Sequence, residues 1–150
     1  MKQIVFVCLG NICRSVMAEC IMKDLLEKEK IVINVLSAGT SGAHNGEDMH
    51  YKTKAKLKEK GVRVISFVSK KLSQDMCDES DFIITMDNSN YKTVLQNYKN
   101  VSHKLKKICE FAKELNYKEV PDPWYSGDFE ETYTILSLAC RNLLKELKGC

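Results

Sequence analysis

The chain has 150 residues, 44% apolar and 29% charged, with seven glycines and two prolines, a composition that predicts one compact domain over residues 1–150. Its longest apolar run, residues 4–9, holds six residues against the roughly 20 of a membrane-spanning helix, so no membrane span is expected. Twenty-three Lys and Arg against 20 Asp and Glu leave a net charge of +3, far from the concentrated basic excess that would make nucleic acid a partner.

In chain order, Ile4, Val5, Phe6 and Val7 form a continuous β-branched and aromatic run that predicts a strand buried on both faces. It ends at Cys8. From Ser15 the spacing becomes helical, with Met17, Cys20, Ile21 and Leu25 on one face and Glu19, Lys23 and Glu27 elsewhere. Residues 31–36 predict a second strand, followed by a loop of small residues from Ser37 to Gly42. The two strands and their helix make a right-handed parallel β-α-β unit.

Residues 50–60 predict a helix whose alternating lysines, Lys52 to Lys60, read as a solvated basic face. Residues 82–86 predict a third strand, and Asp87, Asn88, Ser89 and Asn90 supply caps for a helix from about Tyr91. A weaker pattern over 107–111 predicts a fourth strand. Residues 119–129 hold both prolines, Trp124 and Gly127 and read as a loop, after which Tyr133, Leu136, Cys140, Leu143, Leu144 and Leu147 mark a long amphipathic helix. The alternation predicts a doubly wound α/β sheet, with ligands bound beyond the carboxyl ends of the strands.

The first such end carries Cys8-Leu9-Gly10-Asn11-Ile12-Cys13-Arg14-Ser15, a loop suited to an anion. Backbone N–H groups of a tight loop converge on one point, Gly10 permits a positive φ, and the following helix adds the positive end of its dipole. Arg14 adds a planar fork that holds two phosphate oxygens at once. The same donors favour the thiolate of Cys8, a nucleophile at the base of the loop. Ser15 can donate to that sulfur as it becomes a leaving group, or serve as a helix N-cap.

Cleaving a phosphate monoester through a thiolate also needs an acid for the departing oxygen. Asp122, stiffened between Pro121 and Pro123, is the candidate, with Trp124 and Tyr125 as a wall for an aromatic ring. The Gly-x-x-x-x-Gly-Lys-Ser/Thr loop of nucleotide hydrolases is absent, and Cys8 and Cys13 lack a second ligand pair at zinc spacing, so no metal site is expected. Seven cysteines are an odd number and are expected as reduced thiols, with Cys20, Cys109 and Cys140 packed as small hydrophobes. No export signal is legible at the N-terminus, which makes a cytoplasmic location the expectation.

Together these segments resemble the low-molecular-weight protein tyrosine phosphatases, whose signature is Cys-x5-Arg-Ser/Thr near the N-terminus and Asp-Pro-aromatic near the C-terminus. Here those are Cys8 to Ser15 and Asp122-Pro123-Trp124, with Ser37 to Ser41 and Met86 to Asn90 also matching, so the resemblance covers essentially the whole chain. It implies a four-stranded parallel sheet flanked by helices on both faces, no metal or organic cofactor, and a phosphocysteine intermediate. By this resemblance Cys8 attacks phosphorus, Arg14 clamps the phosphoryl group, and Asp122 protonates the tyrosine oxygen and then activates water. Leu9, Gly10, Asn11, Ile12, Cys13, Arg14 and Ser15 bind phosphate, Asn11 shapes the loop, and Ile12, Trp124 and Tyr125 line the substrate cleft. Cys13 matches a second loop cysteine that forms a protective disulfide with the nucleophile in many members. The implied partners are phosphotyrosine-containing proteins, with inorganic phosphate or other oxyanions as ligands, and the chain acts as a monomer or weak dimer.

The chain departs from the family pattern at several positions. Val16 stands where proline is common, Ala43 where an aromatic often lines the far wall of the cleft, and Met49-His50-Tyr51-Lys52 where Pro-Asp-x-Arg is usual. A family histidine is replaced near Phe67 and Lys70. Three rival readings remain. Arsenate reductases of this fold need two further redox cysteines in mid-chain, where only Cys77 lies. Arginine phosphatases carry Thr where Ile12 stands. A non-catalytic phosphotyrosine-binding module would lack Cys8 or Asp122.

Overall fold

A computed structural model describes residues 2–149. Four parallel strands, β1 (Gln3–Cys8), β2 (Asn34–Gly39), β3 (Phe82–Thr85) and β4 (Leu105–Lys107), lie in the order β2-β1-β3-β4. The chain leaves β1 toward one edge and returns to its other side as β3, so the order reverses at the carboxyl end of β1, where such sheets bind ligands. Helices α1 (Arg14–Glu29), α2 (Tyr51–Glu59), α3 (Gln74–Glu79), α4 (Asn88–Asn97), α5 (Pro123–Ser126) and α6 (Phe129–Lys148) complete the fold.

Every residue of β1 is buried, as its unbroken apolar run predicts. Alternate side chains serve opposite faces. Ile4, Phe6 and Cys8 belong to the larger core with residues of α1 and α6, and Val5 and Val7 to a second core with Cys77 of α3 and Val94 of α4. Cys20, Cys109 and Cys140 are buried as expected, and burial pushes their thiols up to about 11, 11 and 12.

Several predicted boundaries move. The second strand is Asn34–Gly39 instead of 31–36, because pairing with Gln3–Cys8 sets its register, and Val32 is left 96% exposed. Its last residues are small for a reason: a Cβ on Gly39 would lie 2.7 Å from the carbonyl oxygen of Leu9. The fourth strand is Leu105–Lys107, and the apolar residues expected to extend it form a 3-10 turn, Ile108–Phe111, that buries Ile108 and Cys109 beneath α6. The proline-rich loop contains α5, with Pro123 at its first position and Asp122 as its cap, and α6 begins at Phe129, the last residue of the predicted loop, capped by Asp128. Likewise α4 starts at Asn88, capped by Asp87, not at about Tyr91.

The basic face over 50–60 is only partly solvated. Because α2 packs beside α6, Lys56 and Lys60 both reach Glu130, at 3.0 and 2.9 Å, and Lys54 pairs with Asp48 just before its own helix at 2.6 Å. Glu19, expected on the polar side of α1, is 4% exposed. Its carboxylate accepts from Ser37 Oγ at 2.5 Å and pairs with Lys23 at 2.6 Å, which satisfies a charge that burial would otherwise penalise. Among the described residues no helix is long and apolar enough to cross a membrane.

Candidate active site

The loop between β1 and α1 closes around the sulfur of Cys8. The backbone N–H of Asn11 donates to Cys8 Sγ at 3.3 Å, and Ser15 Oγ lies 3.0 Å from the same atom. Asn11 Nδ2 donates to Ser15 Oγ at 2.8 Å and to Ser37 Oγ at 2.9 Å, while its Oδ1 accepts from the backbone of Lys70 at 3.0 Å. Ser15 Oγ therefore already accepts one bond, which leaves its own proton for the sulfur. Ser37 in turn donates to Glu19, so the Asn11 amide feeds two arms, one ending on a buried carboxylate and the other, through Ser15, on the Cys8 sulfur. Among the described residues, the backbone N–H groups of Gly10, Ile12 and Cys13 have no protein acceptor, the donor set an oxyanion requires.

Two expectations for this loop are corrected. The left-handed residue is Asn11, with φ 58°, whereas Gly10 has no positive φ. Asparagine is among the residues that tolerate that region, and here its side chain is held by one local bond, to Ser15, and two distant ones, to Ser37 and Lys70. Gly10 is small for another reason, since a Cβ there would come within 2.9 Å of His44 Cδ2. Nor is Ser15 the helix N-cap. Cys13 occupies that position, and the Ser15 hydroxyl is turned to Cys8.

Arg14 is 3% exposed and held from two directions. One terminal nitrogen donates to Asp87 at 2.7 Å and to the carbonyl of Val120 at 3.0 Å, and the other approaches Asp122 at 3.5 Å. Burial works against its charge, but Cys8, Asp87 and Asp122 more than offset that, and its pKa is raised. Asp122 divides its carboxylate: Oδ1 caps α5 through the backbone of Trp124 at 3.0 Å, and Oδ2 faces Arg14. Cys8, Ile12, Arg14, Asp122, Trp124 and Tyr125 line one cleft of about 140 Å³. A cavity of about 150 Å³ accepts benzene, so the space suits one aromatic ring.

A model of the low molecular weight phosphotyrosine protein phosphatase family matches residues 3–149. The chain belongs to that family. It is 36% identical to the low molecular weight protein-tyrosine-phosphatase YfkJ of Bacillus subtilis over 99% of this chain and 97% of that protein, and its fold superposes on the YfkJ crystal structure with a TM-score of 0.94, covering 99% and 96% of the two chains. It is 62% identical to the Campylobacter jejuni low molecular weight protein tyrosine phosphatase, whose solution structure matches with a TM-score of 0.78 over 98% of this chain and 96% of that one. A protein tyrosine phosphatase from Entamoeba histolytica, 32% identical, superposes at 0.93 over 99% and 98%.

In this phosphatase the residues expected at the site do converge, from positions 8, 14 and 122. Trp124 and Tyr125 are 52% and 79% exposed, so they form a rim and are not core. Ala43 and its neighbour His44 both line the cleft, with the His44 ring against Trp124. Sequence reasoning missed Asp87 as the partner of Arg14, Glu19 at the end of the hydrogen-bond chain, and the two histidines against Trp124. Asp87 stood in a matching segment but read only as a cap. Cys13 is 5% exposed, and its thiol is pushed up to about 12, first by burial and then by Cys8. Among the described residues six cysteines are free and no group of acidic, histidine and cysteine side chains could hold a metal.

Proposed function

We propose that the chain, as one phosphatase domain over residues 1–150, hydrolyses phosphotyrosine monoesters in proteins through a phosphocysteine intermediate. What carries this reading is the meeting of Cys8, Arg14 and Asp122 in a single cleft the size of one ring. The Cys8 thiolate attacks phosphorus in line with the tyrosine oxygen, forming the P–S bond as the P–O bond breaks. Asp122 delivers its proton to the departing oxygen. The Arg14 fork and the loop N–H groups take up charge on the three equatorial oxygens, and Trp124 and Tyr125 flank the ring. In the second step Ser15 donates to the sulfur as it leaves, and Asp122 takes a proton from the attacking water.

The reaction so written uses no metal or organic cofactor, and inorganic phosphate or another oxyanion competes for the loop. Buried, unpaired thiols suit a reducing cytoplasm, where phosphotyrosine-containing proteins are the partners and the chain acts as a monomer or weak dimer. The reading extends to Cys13 as the thiol that captures an oxidised Cys8. The test is hydrolysis in EDTA of phosphotyrosine, phosphoserine and phosphoarginine peptides by the native chain and by Cys8→Ser. Release from phosphotyrosine that vanishes in Cys8→Ser, with phosphate binding retained, is the expected result. Turnover by Cys8→Ser near the native level refutes the nucleophile, and release chiefly from phosphoarginine refutes the substrate.

A further inference from the structure

Trp124 is the single tryptophan of the chain. Half exposed at the cleft, its ring meets two others among the described residues: His44 at 5.7 Å, tilted by 53°, and His50 at 5.5 Å, nearly perpendicular at 83°. His50 is the more firmly seated. Its ring stacks on Phe129 at the start of α6 (5.3 Å, 28°) and on Tyr51 (4.7 Å, 20°). Its Nδ1 caps α2 by accepting from the backbone of Lys52 at 3.0 Å, which puts the proton of the neutral ring on Nε2. Its own backbone N–H donates to the carbonyl of Ile12 at 2.9 Å.

One residue thus touches the phosphate loop, α2, α6 and the turn that carries Asp122. Within that turn the carboxyl is tied to the backbone that carries the indole, because the backbone N–H of Trp124 donates to Asp122 Oδ1 and the four residues run from Pro123 to the left-handed Gly127 that ends them. The approach of Asp122 to Arg14, at 3.5 Å, is at the limit of a hydrogen bond and leaves its placement to packing. We propose that His50 is a positioning residue for the acid step, its ring seated on Phe129 and holding Trp124, and with it the Asp122 carboxyl, in register with the phosphate loop. This rests on the reading of Asp122 as the proton donor.

Two substitutions separate the ring from the cap. His50→Asn keeps a side-chain acceptor for α2 and removes the ring, while His50→Phe keeps a ring and removes the acceptor. The readouts are the emission wavelength and acrylamide quenching of Trp124, and kcat/KM for a phosphotyrosine peptide beside an aryl phosphate whose phenol leaves without protonation. His50→Asn is expected to shift Trp124 emission to the red and to lower kcat/KM about tenfold for phosphotyrosine but less than about twofold for the second ester. His50→Phe is expected to recover the emission and most of the ratio between esters while melting at a lower temperature. Unchanged emission and ratio in His50→Asn, or equal losses on both esters in the two variants, overturns the proposal. If the Asp122 reading itself is wrong, Asp122→Asn leaves the ratio between esters at the native value. The emission of His50→Asn then decides alone whether the imidazole holds the indole.

Discussion

Asp87→Asn isolates what the second carboxylate does for Arg14. Asp87 has two tasks: Oδ1 caps α4 by accepting from Asn90 N at 2.7 Å, and Oδ2 accepts from Arg14 at 2.7 Å. Asparagine retains the cap and removes the charge. A hydrogen bond to a charged group contributes about 1.5–3 kcal/mol, and with Arg14 3% and Asp87 20% exposed little of it is lost to solvent. The remaining partners, Val120 O and the distant Asp122, do not fix the plane of the fork. A loss of about 2 kcal/mol in holding the phosphoryl group corresponds to a fall of roughly 30-fold in kcat/KM. Because that loss acts on phosphoryl oxygens and not on the departing phenol, it should be equal for phosphotyrosine and for an ester with a readily leaving phenol, the opposite of the pattern for Asp122. Asp87→Ala should match it in activity and melt lower, since the cap contributes about a further 1 kcal/mol. Steady-state kinetics on the two esters and thermal melts of both variants measure this. Activity within twofold of native, or a loss that tracks the leaving group, refutes the argument.

A methyl at Gly39 meets the Leu9 carbonyl at 2.7 Å, so Gly39→Ala should cost about 2 kcal/mol and lower the melting temperature by about 4–8 °C; a melt unchanged within 1–2 °C would show the junction to be pliant. Partial burial, and then Lys52, hold the His50 imidazole below its ordinary 6.5. The unfolded chain therefore binds more protons between the two values, so this contribution to stability is complete above pH 6.5 and is lost as pH falls through the folded value. Melts from pH 8 to 5 should show that decline in the native chain and a smaller one in His50→Asn. Peroxide followed by dithiothreitol should restore the native chain and not Cys13→Ser. With the Cys13 thiol pushed up to about 12, disulfide formation, read by mass, should quicken about tenfold per pH unit between 7 and 9; full recovery of Cys13→Ser rules out the protective role.

What the sequence determined by itself is local. A β-branched run, a tight loop with Cys8 and Arg14, and a helical spacing after it are properties of neighbouring residues, and they specify a strand, an anion-binding turn and a helix wherever they occur. Pro121 and Pro123 around Asp122 likewise restrict their own turn. Such patterns state which face of an element is apolar, but not which element will cover it. Only the tertiary structure decided that Glu19 on the polar side of α1 is buried against Ser37, that Asp87 serves Arg14 as well as α4, and that the lysines of α2 meet Glu130. It also decided that Asn11 takes the left-handed turn assigned to Gly10, since the contacts rewarding that conformation come from Ser37 and Lys70. The strand at 31–36 and the one at 107–111 moved for the same reason, because register belongs to the partner strand. Each of these is a pairing between residues far apart in the chain, settled only when strands and helices pack together.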